Sequence, residues 1–148
     1  MVYEINPYVG VGLVEFGMSE SEVRSAIGGE VHSFKKTPAS KMLTDAFKDK
    51  GIHVYYKKPG VCEAVEFGSP AEPMFMGNKL IGLPFKEVKK VFEKLDDSLD
   101  IDETGFTSYK FGIGVFVPTL KKSKSEPIQG VIVFEKGYYD CVTGDGSV

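Results

Sequence analysis

Apolar and polar positions in this chain follow two periods, and the switch between them occurs twice. Phe16-Gly17-Met18-Ser19-Glu20-Ser21-Glu22-Val23, running on to Ile27, is matched sixty-five positions later by Ile81-Gly82-Leu83-Pro84-Phe85-Lys86-Glu87-Val88, running on to Phe92. In each copy an apolar strand end meets a glycine, where the backbone must turn, and a helix starts. Ser19 is a good N-cap, and Glu22 is placed to complete a capping box. Val23, Ala26 and Ile27 make the apolar stripe of the first helix, which Gly28-Gly29 ends. The second is predicted from about Pro84 to Leu95, with Phe85, Val88, Val91, Phe92 and Leu95 at helical spacing. Proline stands where Ser19 stood, so the capping box is lost, although a first-turn proline forfeits no amide bond.

Period-2 alternation follows each helix. Ile52, Val54 and Tyr56 point one way while His53 and Tyr55 point the other. Lys57-Lys58-Pro59-Gly60 is a hairpin turn, and Val61 to Phe67 returns antiparallel. Gly51-Ile52-His53-Val54-Tyr55-Tyr56 corresponds to Gly112-Ile113-Gly114-Val115-Phe116-Val117, and Glu63–Phe67 to Gly130–Phe134. Thr107 to Lys110, Gly112 to Val117 and Ile128 to Phe134 read as three strands, with Lys121 to Ser125 a mobile basic loop before the last. Val9 to Phe16 reads as one strand, as do Met74-Phe75-Met76 with Leu80-Ile81, and Val31 to Phe34 as another. Residues 41–49 fit either a strand or a helical turn. The tail from Gly137 is expected to fray.

The pattern predicts an α+β fold of two similar units, each a short helical element packed on an antiparallel β-sheet. Residues 1–69 form the first unit and 70–148 the second, joined in one body at the proline- and glycine-rich stretch Gly68 to Pro73. At 148 residues, 42% hydrophobic and 26% charged, the chain can bury a proper core. No run approaches the roughly 20 apolar residues of a membrane helix, and Met1 to Pro7 has neither the basic nor the apolar region of a leader, so a cytoplasmic address without membrane is expected. Cys62 and Cys141 are read as free thiols. A net charge of -3 argues against nucleic acid and favours a basic partner.

The strongest charge feature is Glu93 to Glu103, with six acids in eleven residues against the single Lys94. It lacks the central glycine and the closing glutamate of an EF-hand loop, so no metal or other cofactor is assigned. A charge run is ordinarily a solvated loop; it also speeds and orients encounter with a basic protein. Asp96, Asp97, Asp100, Asp102 and Glu103 are therefore candidate partner-binding residues. Tyr55 and Tyr109 join them, because tyrosine offers a rigid apolar body with a polar tip; Tyr138 and Tyr139 are further interface candidates. A small hydrolase or ligand-binding domain would use His53, Cys62 or a carboxylate pair such as Glu63 and Glu66, and none of these sits in a catalytic motif.

The tandem helix start, most specific at Phe16-Gly17-Met18-Ser19 with Glu22-Val23 and Ile27-Gly28, resembles the β-lactamase-inhibitor-protein-like fold and the related SmpA/OmlA lipoprotein domain from about Val11 to Phe134. The resemblance implies a binding protein rather than an enzyme. This chain departs from those families in having no lipobox cysteine and no paired cysteines. It is similar in that respect to cytoplasmic immunity proteins, which neutralise a cognate bacterial toxin by occlusion. The alternative is an interaction or regulatory domain for another partner. Oligomeric state, and whether the units share a sheet, are left open by the sequence.

Overall fold

The computed structural model describes residues 2–35, 37–39 and 42–138; Tyr139 and Cys141 lie outside them. In chain order the elements are β1 (Val2–Asn6), β2 (Gly10–Val11), β3 (Val14–Glu15), α1 (Glu20–Ile27), β4 (His32–Lys35), β5 (Leu43–Phe47), a 3-10 turn (Lys48–Lys50), β6 (Ile52–Lys57) and β7 (Val61–Gly68). The second half follows with β8 (Glu72–Phe75), β9 (Asn78–Lys79), α2 (Phe85–Leu95), β10 (Asp100–Asp102), β11 (Gly105–Ser108), β12 (Ile113–Phe116) and β13 (Gly130–Phe134). The chain is mixed α+β, as expected.

Two sheets form. The larger is antiparallel throughout, in the order β10-β11-β12-β13-β7-β6-β5-β4, and the smaller runs β3-β2-β1-β8-β9 with β1 and β8 parallel. Both sheets cross the junction at 68–73, which settles the shared-sheet question: β13 pairs with β7 from Gly130↔Gly68 to Phe134↔Ala64. Three local expectations change. Val9 to Phe16 is a tight hairpin turning at Gly12-Leu13, because Gly10 must sit so near Val14 that a Cβ there would fall 2.1 Å from its carbonyl oxygen. Met74 to Leu80 is likewise a hairpin, with Met76 and Gly77 at positive φ. The junction also proves partly regular, since β8 already includes Pro73.

The helices begin in different ways. Ser19 Oγ accepts from the Glu22 amide at 3.2 Å and Glu22 Oε1 accepts from the Ser19 amide at 3.0 Å, completing the capping box. Pro84 provides no side-chain cap. The free amides of Phe85 and Lys86 donate instead to the carbonyls of Glu126 and Lys124, each at 2.9 Å, so backbone bonds tie the basic loop to α2. Gly28, at φ 74°, ends α1 by donating to the Arg24 carbonyl.

Both helices and the smaller sheet pack on one face of the larger sheet. The shared core runs through Tyr3, Val23, Phe47, Val54, Val65, Phe67, Phe75, Phe85, Phe92, Phe106, Ile113 and Val133. Phe92 is its aromatic centre, fully buried, with ring centroids 4.9 Å from Phe106 and 5.2 Å from Phe75. Truncating it to alanine should cost about 3–5 kcal/mol in urea unfolding. Ser19→Ala should cost about 1 kcal/mol, the usual loss of a cap.

Candidate functional site

The two faces of the large sheet differ in kind. Cross-strand registers draw one row over all eight strands on the face away from the helices: His32, Ala46, His53, Glu66, Ile132, Gly114, Thr107 and Asp100. Because side chains alternate along each strand, Phe34, Tyr55, Phe116 and Asp102 share that face. Ala46, Ala64 and Phe134 are buried yet stand apart from the shared core, as residues of the outward face should.

One end of the row is aromatic. The Phe34 ring lies 5.8 Å from His53 edge-on and 6.3 Å from His32. Tyr55 donates to Glu66 Oε1 at 2.5 Å, and His53 Nδ1 stands 3.8 Å from the same oxygen. Phe116, half exposed at 50%, lies toward the opposite edge. Between them is an open depression of about 330 Å³ lined by Gly51, His53, Glu66, Phe67, Gly68, Phe116, Gln129 and Gly130.

The acidic segment divides between structure and surface. Asp96 caps the C-terminal end of α2 and is only 4% exposed, so it leaves the partner-binding set. Its carboxylate accepts from the Ser98 amide at 2.9 Å and from the Ser108 hydroxyl at 2.7 Å, which fastens the helix end to β11. Burial was invisible in a run of like charges, although the Asp-x-Ser spacing is a turn signal. Asp97, Asp100, Asp102 and Glu103 are exposed. Asp100 and Asp102 sit on the edge strand β10, and Glu103 forms an exposed ion pair with Lys121 at 3.5 Å. Tyr109 is 43% exposed, and its carbonyl accepts from the Tyr8 hydroxyl. Tyr55 belongs to the His53 and Glu66 group, on the same face as Asp100 but five strands away from β10.

The hydrolase pairs do not assemble. Cys62 is fully buried on the core side while His53 faces outward, and burial pushes the Cys62 thiol up to about 12, so thiolate is scarce at neutral pH. Glu63 is the extra residue of a bulge between the pairs Tyr55↔Ala64 and Tyr56↔Cys62, off the register that carries Glu66. No group of three or more His, Cys, Asp or Glu among the described residues is placed to hold a metal. Among them, no helix is long and apolar enough to cross a membrane.

Sequence reasoning missed a half-buried ionic network centred on Asp45. Arg24, on α1, forks onto Asp45 with Nε and Nη2 each 2.9 Å from a carboxylate oxygen, and Nη2 also donates to Ser33 at 3.0 Å. Ser33 and Tyr56 donate to the same carboxylate at 2.6 and 2.7 Å. Asp45 is fully buried. Burial alone would raise its pKa, but the bonds from Arg24, Ser33 and Tyr56 outweigh it and hold the group below the usual aspartate value. The period-2 position of Asp45 on the inward face of a strand was the available signal.

Comparison with protein-family profiles, with curated proteins and with solved structures yields no match to this chain.

Asp45 generates a prediction whose sign is fixed. A folded pKa below the unfolded one adds stability that is complete above the unfolded value and is lost as pH falls through the folded one. Urea stability of the wild type should therefore drop below about pH 4, near the ordinary aspartate pKa, and Asp45→Asn should flatten that limb. The same variant should lose about 2–3 kcal/mol at pH 7, because the Arg24 fork loses its charged acceptor.

Proposed function

We propose that this chain is a stoichiometric protein-binding inhibitor of the immunity-protein type, acting in the cytoplasm by covering the working surface of a basic toxin domain. The observation that carries the reading is the outward face of the large sheet: eight strands wide, with exposed Phe116, half-buried aromatic and histidine side chains at one end, and Asp100 and Asp102 at the other. Such a face has the ingredients of a protein interface, namely a broad rigid platform, aromatic anchors and a charged rim. The carboxylates of Asp97, Asp100, Asp102 and Glu103 favour a positively charged partner and would speed its approach.

The same reading takes residues 1–69 and 70–148 as two copies of one unit, similar to the tandem β-lactamase-inhibitor-protein-like arrangement. Paired backbone bonds support it. The Gly17 amide donates to the Cys62 carbonyl and the Cys62 amide to the Met18 carbonyl, at 2.9 and 2.8 Å. Gly82, Ile128 and Leu83 repeat that exchange at 2.9 Å in both directions. Ile52 pairs with Phe67 and Ile113 with Val133, so Phe67 corresponds to Val133, one residue from the correspondence expected between Glu63–Phe67 and Gly130–Phe134. A duplicated unit would double the area of the binding platform without a new fold.

The test is co-expression with the product of an adjacent gene. Growth arrest by that product, relieved by this chain together with a one-to-one complex on size exclusion, is the expected outcome; a neighbour that neither arrests growth nor forms a complex overturns the reading. In such a complex, Phe116→Lys should weaken binding by ~30-fold or more, the loss typical of a central anchor. Replacing Asp97, Asp100 and Asp102 with Asn, sparing Asp96, should slow association and reduce its salt dependence while leaving the melting temperature in place.

A further inference from the structure

Most glycines that the large sheet contains or abuts are needed where they stand. A Cβ on Gly105 would lie 2.0 Å from the Val115 carbonyl oxygen, and one on Gly51 would lie 2.3 Å from the Gly68 carbonyl oxygen. Gly68 and Gly130 are different. They face each other across the central strand pair, neither has positive φ, and a Cβ would meet nothing nearer than 3.9 Å at Gly68 and 3.5 Å at Gly130. Backbone conformation and packing would both admit a side chain, and strands favour one, because a glycine there adds disorder to the unfolded chain and packs nothing.

What the two glycines do is leave bare backbone as the floor of the depression. Phe116, cross-strand partner of Gly130, walls it on one side, and His53 and Glu66 wall it on the other. Glu66 uses Oε1 for Tyr55, and among the described residues none donates a hydrogen bond to its Oε2. A flat floor, an exposed ring and an available carboxylate oxygen suit a planar, weakly hydrated cation that stacks and accepts a charge-assisted bond at once.

We infer that this depression is a seat for one arginine side chain of the protein partner, its guanidinium laid over Gly68 and Gly130 against Phe116 and bonded to Glu66. The inference rests on the reading of this face as a protein-binding surface and names the residue type that it takes. An ammonium fits less well, since it does not stack as a plane and holds its water more tightly.

The experiment uses L-arginine amide as the probe and L-citrulline amide, its neutral isostere, as the control, followed by amide and aromatic NMR on the full chain. Arginine amide at millimolar concentration should move the Gly68 and Gly130 amides and the Phe116 ring, and citrulline amide should not. Glu66→Gln should raise the dissociation constant about tenfold, the effect of losing a charged acceptor. Gly68→Val should abolish the shifts with the melting temperature unchanged or raised; Gly68→Ser serves if the valine variant does not fold. Equal shifts from both probes, full binding by Gly68→Val, or no shift at these residues overturns the seat. None of those results bears on the co-expression outcome, which tests the wider reading independently.

Discussion

The antiparallel pairing of β7 with β13 joins two four-stranded meanders, distant in sequence, along five cross-strand pairs from Gly130↔Gly68 to Phe134↔Ala64. Val65, Phe67, Val131 and Val133 on those strands are all at most 2% exposed and stand in the middle of the core. Separated, each meander would present that inner edge, with its unpaired amides and carbonyls, to solvent. The parallel pairing of β1 with β8 makes a second bond between the halves on the other side of the core. The outward face depends on the same pairing, because only a continuous sheet places His32 and Asp100 on one surface.

Each helix is held to this sheet by a buried aspartate, used in opposite senses. Asp45 projects from β5 and captures Arg24 of α1. Asp96 projects from the end of α2 and captures Ser108 of β11. Asp45 accepts four hydrogen bonds, the condition under which a buried charge is tolerated, and Asp96 accepts two. At the other end of each helix the orphan amides are met by a side chain in α1 and by loop carbonyls in α2. The loss of the capping box at Pro84 is thus offset by tertiary contact, and the Lys121 to Ser125 loop becomes part of the helix start.

The two faces of the large sheet consequently carry different residues. The inward face carries the aromatic core and the Asp45 network, whereas the outward face carries exposed Phe116, Glu66 with one available oxygen, and the carboxylates of β10. On the proposed reading a change on the outer face alters recognition with little effect on folding, which is why Gly68 and Gly130 are informative.

Local patterns were legible in the sequence by itself. Ser19 with Glu22 specifies a capping box within four residues, Gly28-Gly29 ends the helix, and the alternation from Ile52 to Tyr56 declares which side chains face inward. Those features are encoded by neighbours along the chain, through bonds and periods that span a few residues. Tertiary structure decided what neighbours cannot encode. The hairpins at Gly10 to Glu15 and at Glu72 to Lys79 are not legible in the sequence, because β2, β3 and β9, of two residues each, carry no alternation to recognise. Asp96 was indistinguishable from Asp97 until the packing of α2 on β11 turned one inward and left the other in solvent. The meeting of Gly68 with Gly130 follows from hydrogen-bond register between strands more than sixty residues apart, which is set by the fit of the whole core.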